Sequence, residues 1–125
     1  MPRLFHLIPM PDGPFEGLDL TTRAVFGLLW DRYRLSCHRT IGGDGRYVAG
    51  MDETVPDGCD SVYTIYAQPD LAHDLGVSLR TVQRAVNALH EAHLIMLRRD
   101  GFGGPVRVYV ARSVRAWLLQ RTTDG

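Results

Sequence analysis

The apolar positions of the first third of the chain have the spacing of an α-helix that is apolar on two sides. Thr21 is a suitable N-cap, and the helical pattern runs to about Leu35. One stripe consists of Val25, Leu28 and Leu29, and a second consists of Phe26, Trp30 and Tyr33. A helix with two apolar stripes needs two packing partners. The second stripe is covered either by other parts of the same chain or by a second copy of it.

A second helical region lies in the middle of the chain. Pro69 favours the start of a short helix, and Gly76 favours its end. Ser78 is a suitable N-cap for a longer helix over residues 79–92. The apolar residues of that helix share one side at about 100° per residue, and they are Leu79, Val82, Ala85, Val86 and Leu89. Two helices joined by a three-residue turn are therefore predicted.

The segments that follow have the alternating pattern of β-strands. Residues 94–99 predict one strand and residues 106–110 a return strand, with a glycine-rich loop between them. Residues 46–49 and 62–66 are expected to form another hairpin, and residues 4–8 a short extended segment. Ser113 is the expected cap of a final helix.

Helix, short turn, capped helix and β-hairpin occur in the order of a winged helix-turn-helix. The predicted fold is therefore α+β, a winged helix-turn-helix with an added N-terminal segment and a β-hairpin. Residues 1–112 are expected to form this domain. Residues 113–125 are expected to begin a C-terminal helix or linker that leads to a further domain.

The outward side of the helix over residues 79–92 carries groups that suit the edges of DNA bases. Arginine pairs with guanine, asparagine and glutamine pair with adenine, and serine and threonine pair with either. A solvated helix face would also be charged, but here only Glu91, at the far end, is acidic. The predicted contacts from this region are Ser78, Arg80, Thr81, Gln83, Arg84 and Asn87.

The predicted wing is also basic. Arg98, Arg99 and Arg107 flank its glycine-rich loop and are expected to contact DNA phosphates, which would give affinity and register. The alternative is that these arginines only keep the hairpin soluble.

Charge is unevenly distributed along the 125 residues. The formal net charge is zero, but residues 1–76 carry −5 and residues 77–125 carry +5. A neutral protein with one basic half can still hold a nucleic-acid surface. The length predicts one domain with a single core. No apolar run reaches the ~18 residues of a membrane span, and Pro9 interrupts the N-terminal apolar stretch, so a cytoplasmic location without membrane contact is expected.

Other kinds of site are poorly supported. Cys37 and Cys59 are too few for a disulfide framework. His90 and His93 lack the paired spacing of a metal site, and the acidic residues of the 52–60 loop have no nearby His or Lys partner. We therefore expect no metal, no cofactor and no enzymatic activity.

A homodimer is the assembly that the aromatic stripe suggests. If the stripe is exposed, the dimer forms away from the helix over residues 79–92. The candidate interface residues are Phe5, Phe26, Trp30 and Tyr33.

Several segments between Leu4 and Val110 resemble the N-terminal domain of the replication initiator A proteins of plasmids and related elements in Gram-positive bacteria. The most specific are the run Gly27-Leu28-Leu29-Trp30-Asp31-Arg32 and the hairpin that follows the helix-turn-helix. The others are Phe5-His6-Leu7-Ile8-Pro9, Val62-Tyr63-Thr64-Ile65-Tyr66, Asp74-Leu75-Gly76-Val77-Ser78 and Gly103-Gly104-Pro105-Val106-Arg107-Val108-Tyr109-Val110. The resemblance covers most of the chain.

The resemblance implies sequence-specific binding to repeats of double-stranded DNA at a replication origin, usually as a dimer. It also implies a C-terminal domain that engages host replication proteins. Two features depart from the family: a longer segment over residues 46–61, and His93 where a glycine commonly ends the recognition helix. Two alternatives remain, a transcriptional regulator with the same motif, and a winged helix used for protein–protein contact in a primosome or partition assembly.

Overall fold

The computed structural model of the chain describes residues 8–41, 58–59, 63–99 and 106–123. These contain four α-helices and a two-stranded antiparallel sheet, so the predicted α+β class is confirmed. The elements in chain order are α1 (Leu20–Ile41), α2 (Gln68–Leu75), α3 (Leu79–Glu91), β1 (Ile95–Arg99), β2 (Val106–Val110) and α4 (Arg112–Thr123).

Helix α1 begins earlier and ends later than the sequence pattern predicted. The carboxylate of Asp19 accepts the backbone N–H of Thr22 at 2.8 Å, so Asp19 caps the helix and the prediction for Thr21 was wrong. At its other end, α1 continues to Ile41 rather than to Leu35. No glycine or proline occurs between residues 28 and 41, so the backbone chemistry of that stretch favours continuation of the helix.

The helix-turn-helix forms as predicted. Gly76 adopts the left-handed conformation (φ +72°) and ends α2, a position that favours glycine because other residues have a Cβ that clashes there. Ser78 is in the extended conformation, and its hydroxyl caps α3. Pro69 is the second residue of α2 rather than the first. The turn between the two helices is therefore Gly76 to Ser78.

His93 lies two residues after the last residue of α3 and has a positive φ of 61°. The N–H of His93 bonds to the carbonyl of His90, and the N–H of Leu94 bonds to the carbonyl of Leu89, both at 3.0–3.1 Å. These bonds satisfy carbonyls that a helix end leaves unpaired. His93 therefore adopts the left-handed conformation that ends the helix, the position at which the family commonly has a glycine.

The wing is an antiparallel pair in which Leu97 lies opposite Val108 and Arg98 opposite Arg107. Thr64 forms an isolated antiparallel bridge with Val108 on the other edge of β2. The N–H of Thr64 donates to the carbonyl of Val108 at 2.9 Å, and the N–H of Val108 donates to the carbonyl of Thr64 at 2.8 Å. Residues 62–66 had been expected to pair with residues 46–49. Within the second arm, Thr64 pairs with β2, and the predicted partner strand, residues 46–49, lies outside the described residues.

The core lies between α1, α3 and the inner side of the sheet. Helix α1 packs against α2, α3 and β2, and α3 packs against β1. The side chains that are least exposed include Tyr33, Phe15, Phe26, Leu29, Leu71, Leu89, Ile95, Val110 and Val114. One continuous apolar cluster therefore joins the described elements.

Helix α4 contacts the N-terminal segment. A Cβ at Gly13 (φ +55°) would lie 2.3 Å from the indole of Trp117, so only glycine fits at this close approach. The prediction that Ser113 caps α4 was wrong, because Arg112 already has helical conformation. In the part of the chain that the structure describes, no helix has the length and apolarity that a membrane crossing requires.

Candidate nucleic-acid interface

The N-terminus of α3 is held by a compact hydrogen-bond arrangement. The Ser78 hydroxyl accepts the N–H of Thr81 at 3.1 Å, and the two hydroxyl oxygens lie 2.8 Å apart. Both side chains are thus engaged in capping, although Ser78 remains exposed. These two hydroxyls fix the start of α3. A ligand would contact the part of Ser78 and Thr81 that faces solvent.

The outward side of α3 is a row of exposed polar side chains. Arg80, Arg84, Asn87 and Glu91 are all exposed, whereas Val82, Ala85, Val86 and Leu89 on the opposite side are buried. The helical spacing thus produces one buried and one exposed side. Except for Glu91 in the last position, the exposed row has no acidic residue.

A third row of α3, formed by Leu79, Gln83 and Val86, faces a cleft between the helix and the sheet. Leu79 had been assigned to the buried side, and this was wrong, because its side chain is 43% exposed. As the first residue of the helix, it lies at the mouth of the cleft rather than over the core.

The two strands of the wing distribute the three predicted arginines between opposite faces. Alternation along a strand puts Arg99 on the same face as Leu97 and Val108, the face that lines the cleft. Arg98 and Arg107 are cross-strand partners on the other face. Directly opposed like charges are unfavourable unless other groups offset the repulsion.

Arg107 has an aromatic partner on that outer face. Its guanidinium lies 4.6 Å from the centre of the Tyr63 ring, and Tyr63 contacts the edge of Tyr109 at a centroid distance of 5.8 Å. A cation above an aromatic face is attracted by the ring quadrupole. Tyr63 therefore orients Arg107, a role that the sequence pattern did not reveal because the two residues are far apart in the chain.

A second contact of this kind braces α2 against α1. Arg32 lies 4.1 Å from the centre of the Tyr66 ring and donates to the Ile65 carbonyl at 3.2 Å. Tyr66 donates its hydroxyl hydrogen to the carboxylate of Asp74. Burial and this hydrogen bond raise the pKa of the Tyr66 phenol well above its usual value. The neutral phenol thus links α1 to the helix that supports α3.

The aromatic residues predicted for a dimer interface lie in the core of one chain. Phe26 is fully buried, Tyr33 is 1% exposed and Trp30 is 8% exposed. Phe15 packs against Phe26 edge-on at 4.9 Å, and Trp30 stacks between Phe26 and Tyr33. Of the two alternatives for this stripe, the structure shows coverage by the same chain, because the N-terminal segment and the remaining elements pack over it. Phe5 lies outside the described residues.

No group of three or more His, Cys, Asp or Glu side chains is positioned to hold a metal ion within the described ranges. Cys59 is buried beside the start of α4, where its carbonyl accepts a hydrogen bond from Arg112 at 3.2 Å. The arrangement that remains is a row of hydrogen-bonding side chains on one rigid helix, flanked by arginines of a β-hairpin. Such an arrangement can bind a polyanion and make polar contacts with it.

Comparison with solved structures shows the same fold in proteins of distant sequence. A structure titled "N-terminal domain of DNA binding protein" has a TM-score of 0.55 at 18% identity over 99% of this chain and 85% of that chain. One titled "Structure of Rep-DNA complex" has a TM-score of 0.56 at 21% identity, over 89% and 72%. One titled "Structure of MDR initiator" has a TM-score of 0.55 at 17% identity, over 86% and 76%.

These similarities show that the chain shares its fold with those proteins, and its own elements, helices α2 and α3 followed by the antiparallel pair β1–β2, have the order of a winged helix-turn-helix. No family model matches the chain, and no curated protein matches its sequence.

Proposed function

We propose that the chain is the DNA-binding domain of a replication initiator and binds double-stranded DNA sequence-specifically at origin repeats of a plasmid or other mobile element. The observation that carries this proposal is the exposed row of α3. Arg80, Arg84 and Asn87 project into solvent from a capped helix whose opposite side is buried in the core. Two solved structures with this fold, a Rep–DNA complex and the MDR initiator, support the same role.

In the proposed complex, α3 enters the major groove and its exposed row meets the base edges. An α-helix fits this groove, and arginine and asparagine pair there with guanine and adenine. Gln83 and the outer sides of Ser78 and Thr81 lie next to the row. Arg98, Arg99 and Arg107 contact phosphates, which fixes the register of the protein on the duplex. The chain acts by binding and not by catalysis.

The proposal includes a homodimer, host replication proteins as further partners of a C-terminal domain, and a cytoplasmic location. The dimer contact lies outside the Phe26–Trp30–Tyr33 stripe, since those side chains are buried within one chain. Sedimentation equilibrium over micromolar concentrations tests the dimer independently of DNA binding. A monomer at every concentration would remove the dimer and leave the DNA-binding proposal intact.

Selection from a library of randomised duplexes tests the DNA-binding proposal. The selected duplex is then compared with a scrambled duplex of the same composition by fluorescence anisotropy at physiological salt. We expect the selected site to bind at least ~10³-fold more tightly, as specific DNA-binding proteins do. Equal binding of both duplexes would contradict sequence specificity. A stable protein complex with no duplex binding at low salt would favour the protein–protein alternative.

A further inference from the structure

The cleft between α3 and the wing encloses a cavity of about 370 Å³. Most of its lining residues are apolar, with a few polar side chains among them, and they come from five parts of the fold: α1, the segment before α2, α2 itself, α3 and the inner face of the sheet. Cavities that bind small ligands have volumes of about 300–1,000 Å³ and combine apolar walls with a few polar groups. The cleft has the size and composition of a small-molecule site.

The mouth of the cleft exposes apolar side chains that a winged helix does not need to expose for folding. Leu79 is 43% exposed and Ile65 is 36% exposed, whereas Val86, Ile95 and Val108 deeper in the cavity are buried. Covering Leu79 and Ile65 would remove apolar surface from water, which favours a ligand with an apolar body.

The polar side chains of the cavity indicate which chemical group the ligand carries opposite its apolar body. Among the residues that the structure describes, Arg99 is the one charged side chain that lines the cavity, and none of them places an acidic side chain there. Gln68 and Gln83 are the amide groups of the lining. A guanidinium pairs with a carboxylate through two parallel hydrogen bonds, and glutamine amides can add further contacts.

We infer that this cleft binds a small organic monocarboxylate, with its apolar body between Leu79, Ile65 and the inner face of the sheet and its carboxylate at Arg99. This ligand class matches both the apolar walls and the single positive charge. Gln83 and Arg99 are also proposed DNA contacts, so a bound carboxylate competes with DNA. This last step, and only this step, rests on the proposed function.

Methyl chemical shifts of the free 125-residue chain test binding without DNA. Decanoate and 1-naphthoate are the probes, and decanol, with the same apolar chain and no charge, is the matched ligand control. We expect saturable shifts confined to the methyl groups of Leu79, Ile65, Val86, Ile95 and Val108. We expect decanol to bind about tenfold more weakly than decanoate. No saturable shift with either carboxylate, or shifts spread over the whole chain, would overturn the inference.

Two neighbouring residues of β1 give matched variants. Arg99→Gln removes the charge from the cleft, whereas Arg98→Gln removes an identical charge from the opposite face of the same strand. We expect Arg99→Gln to weaken decanoate binding about tenfold, to leave decanol binding unchanged, and Arg98→Gln to change neither. Equal weakening by both variants would show nonspecific attraction and overturn the site.

The same variants separate this inference from the DNA-binding proposal. Competition is measured by adding decanoate to the wild-type chain bound to its selected duplex, and we expect the apparent DNA affinity to fall as the cleft is occupied. Decanoate binding without any DNA binding would contradict the proposed function but not the site. Loss of DNA affinity in Arg99→Gln with unchanged decanoate binding would contradict the site but not the proposed function.

Discussion

Helices α1 and α3 both show a mixture of apolar and polar positions, yet they serve opposite purposes. Six consecutive residues of α1, from Val25 to Trp30, are buried, so this segment of the helix is enclosed on all sides. Helix α3 buries a single stripe and leaves Arg80, Arg84 and Asn87 in solvent. The difference shows that the Val25–Trp30 segment of α1 belongs to the core, whereas α3 contributes one side to the core and leaves its other side open to solvent.

The largest expected effect concerns the buried helix. Phe26→Ala removes a ring that is fully buried between Phe15 and Trp30, so we expect a loss of about 3–5 kcal/mol in the free energy of unfolding. Urea unfolding followed by circular dichroism measures it. The exposed Arg34→Ala, also in α1, is the control and should change stability by less than ~0.5 kcal/mol. A small loss for Phe26→Ala would mean that α1 is not the enclosed helix described above.

For α3 we expect the opposite result, a loss of DNA affinity with almost no loss of stability. Arg84→Ala should leave the free energy of unfolding nearly unchanged, since the side chain is exposed. It should weaken binding to the selected duplex by about 1–3 kcal/mol and to random duplex by much less, because a bidentate contact with a base discriminates between sequences. Competition binding with both duplexes measures the two losses. Equal losses on both duplexes would indicate that α3 lies along the phosphate backbone and that the wing reads the sequence.

The proposed contacts of the wing are with DNA phosphates, which are the same for every sequence. Arg107→Ala should weaken binding to selected and random duplexes by similar factors. It should also reduce the slope of log K against log salt concentration by about 0.9 per protomer, the value for one released counterion. Titrations at two salt concentrations measure the slope. A selective loss on the cognate duplex would reassign Arg107 to base reading.

The helix-turn-helix was predictable from sequence because its determinants are local. Gly76 and Ser78 define the turn through backbone conformation and capping, and the spacing of Val82, Ala85, Val86 and Leu89 defines the buried side of α3. Strand alternation also predicts that Arg98 and Arg99 lie on opposite faces. These features depend on residues a few positions apart.

The burial of the α1 aromatic stripe was not predictable in the same way. It depends on Phe15 and on elements that follow much later in the chain, and periodicity shows that a stripe needs a partner without showing which one. The contact of Arg107 with Tyr63 has the same origin, since only the pairing of Thr64 with Val108 brings the two residues together.

The smallest expected effects concern the N-caps of the two helices, which have different chemistry. Asp19 caps α1 with a carboxylate, and Ser78 caps α3 with a hydroxyl. Replacement of either by alanine should cost about 1 kcal/mol of stability near neutral pH. The backbone N–H and the hydroxyl of Thr22 stabilise the charged form of Asp19 and lower the pKa of its carboxyl group.

The pKa difference makes one cap sensitive to pH and the other insensitive. Because the pKa of Asp19 is lower in the folded chain than in the unfolded chain, its ionised form stabilises the fold above its ordinary pKa of 3.8, and this contribution is lost as the pH falls through the folded value. The cost of Asp19→Ala should therefore shrink in acid, whereas the cost of Ser78→Ala should stay constant. Asp19→Asn, which keeps a capping oxygen without the charge, should be nearly as stable as wild type near neutral pH. Urea unfolding of the three variants and the wild-type chain, with the pH lowered in steps from about 7 towards 3, measures each cost. If Asp19→Ala costs the same at every pH, the Asp19 carboxylate does not cap α1 in its charged form, and the electrostatic distinction between the two caps disappears.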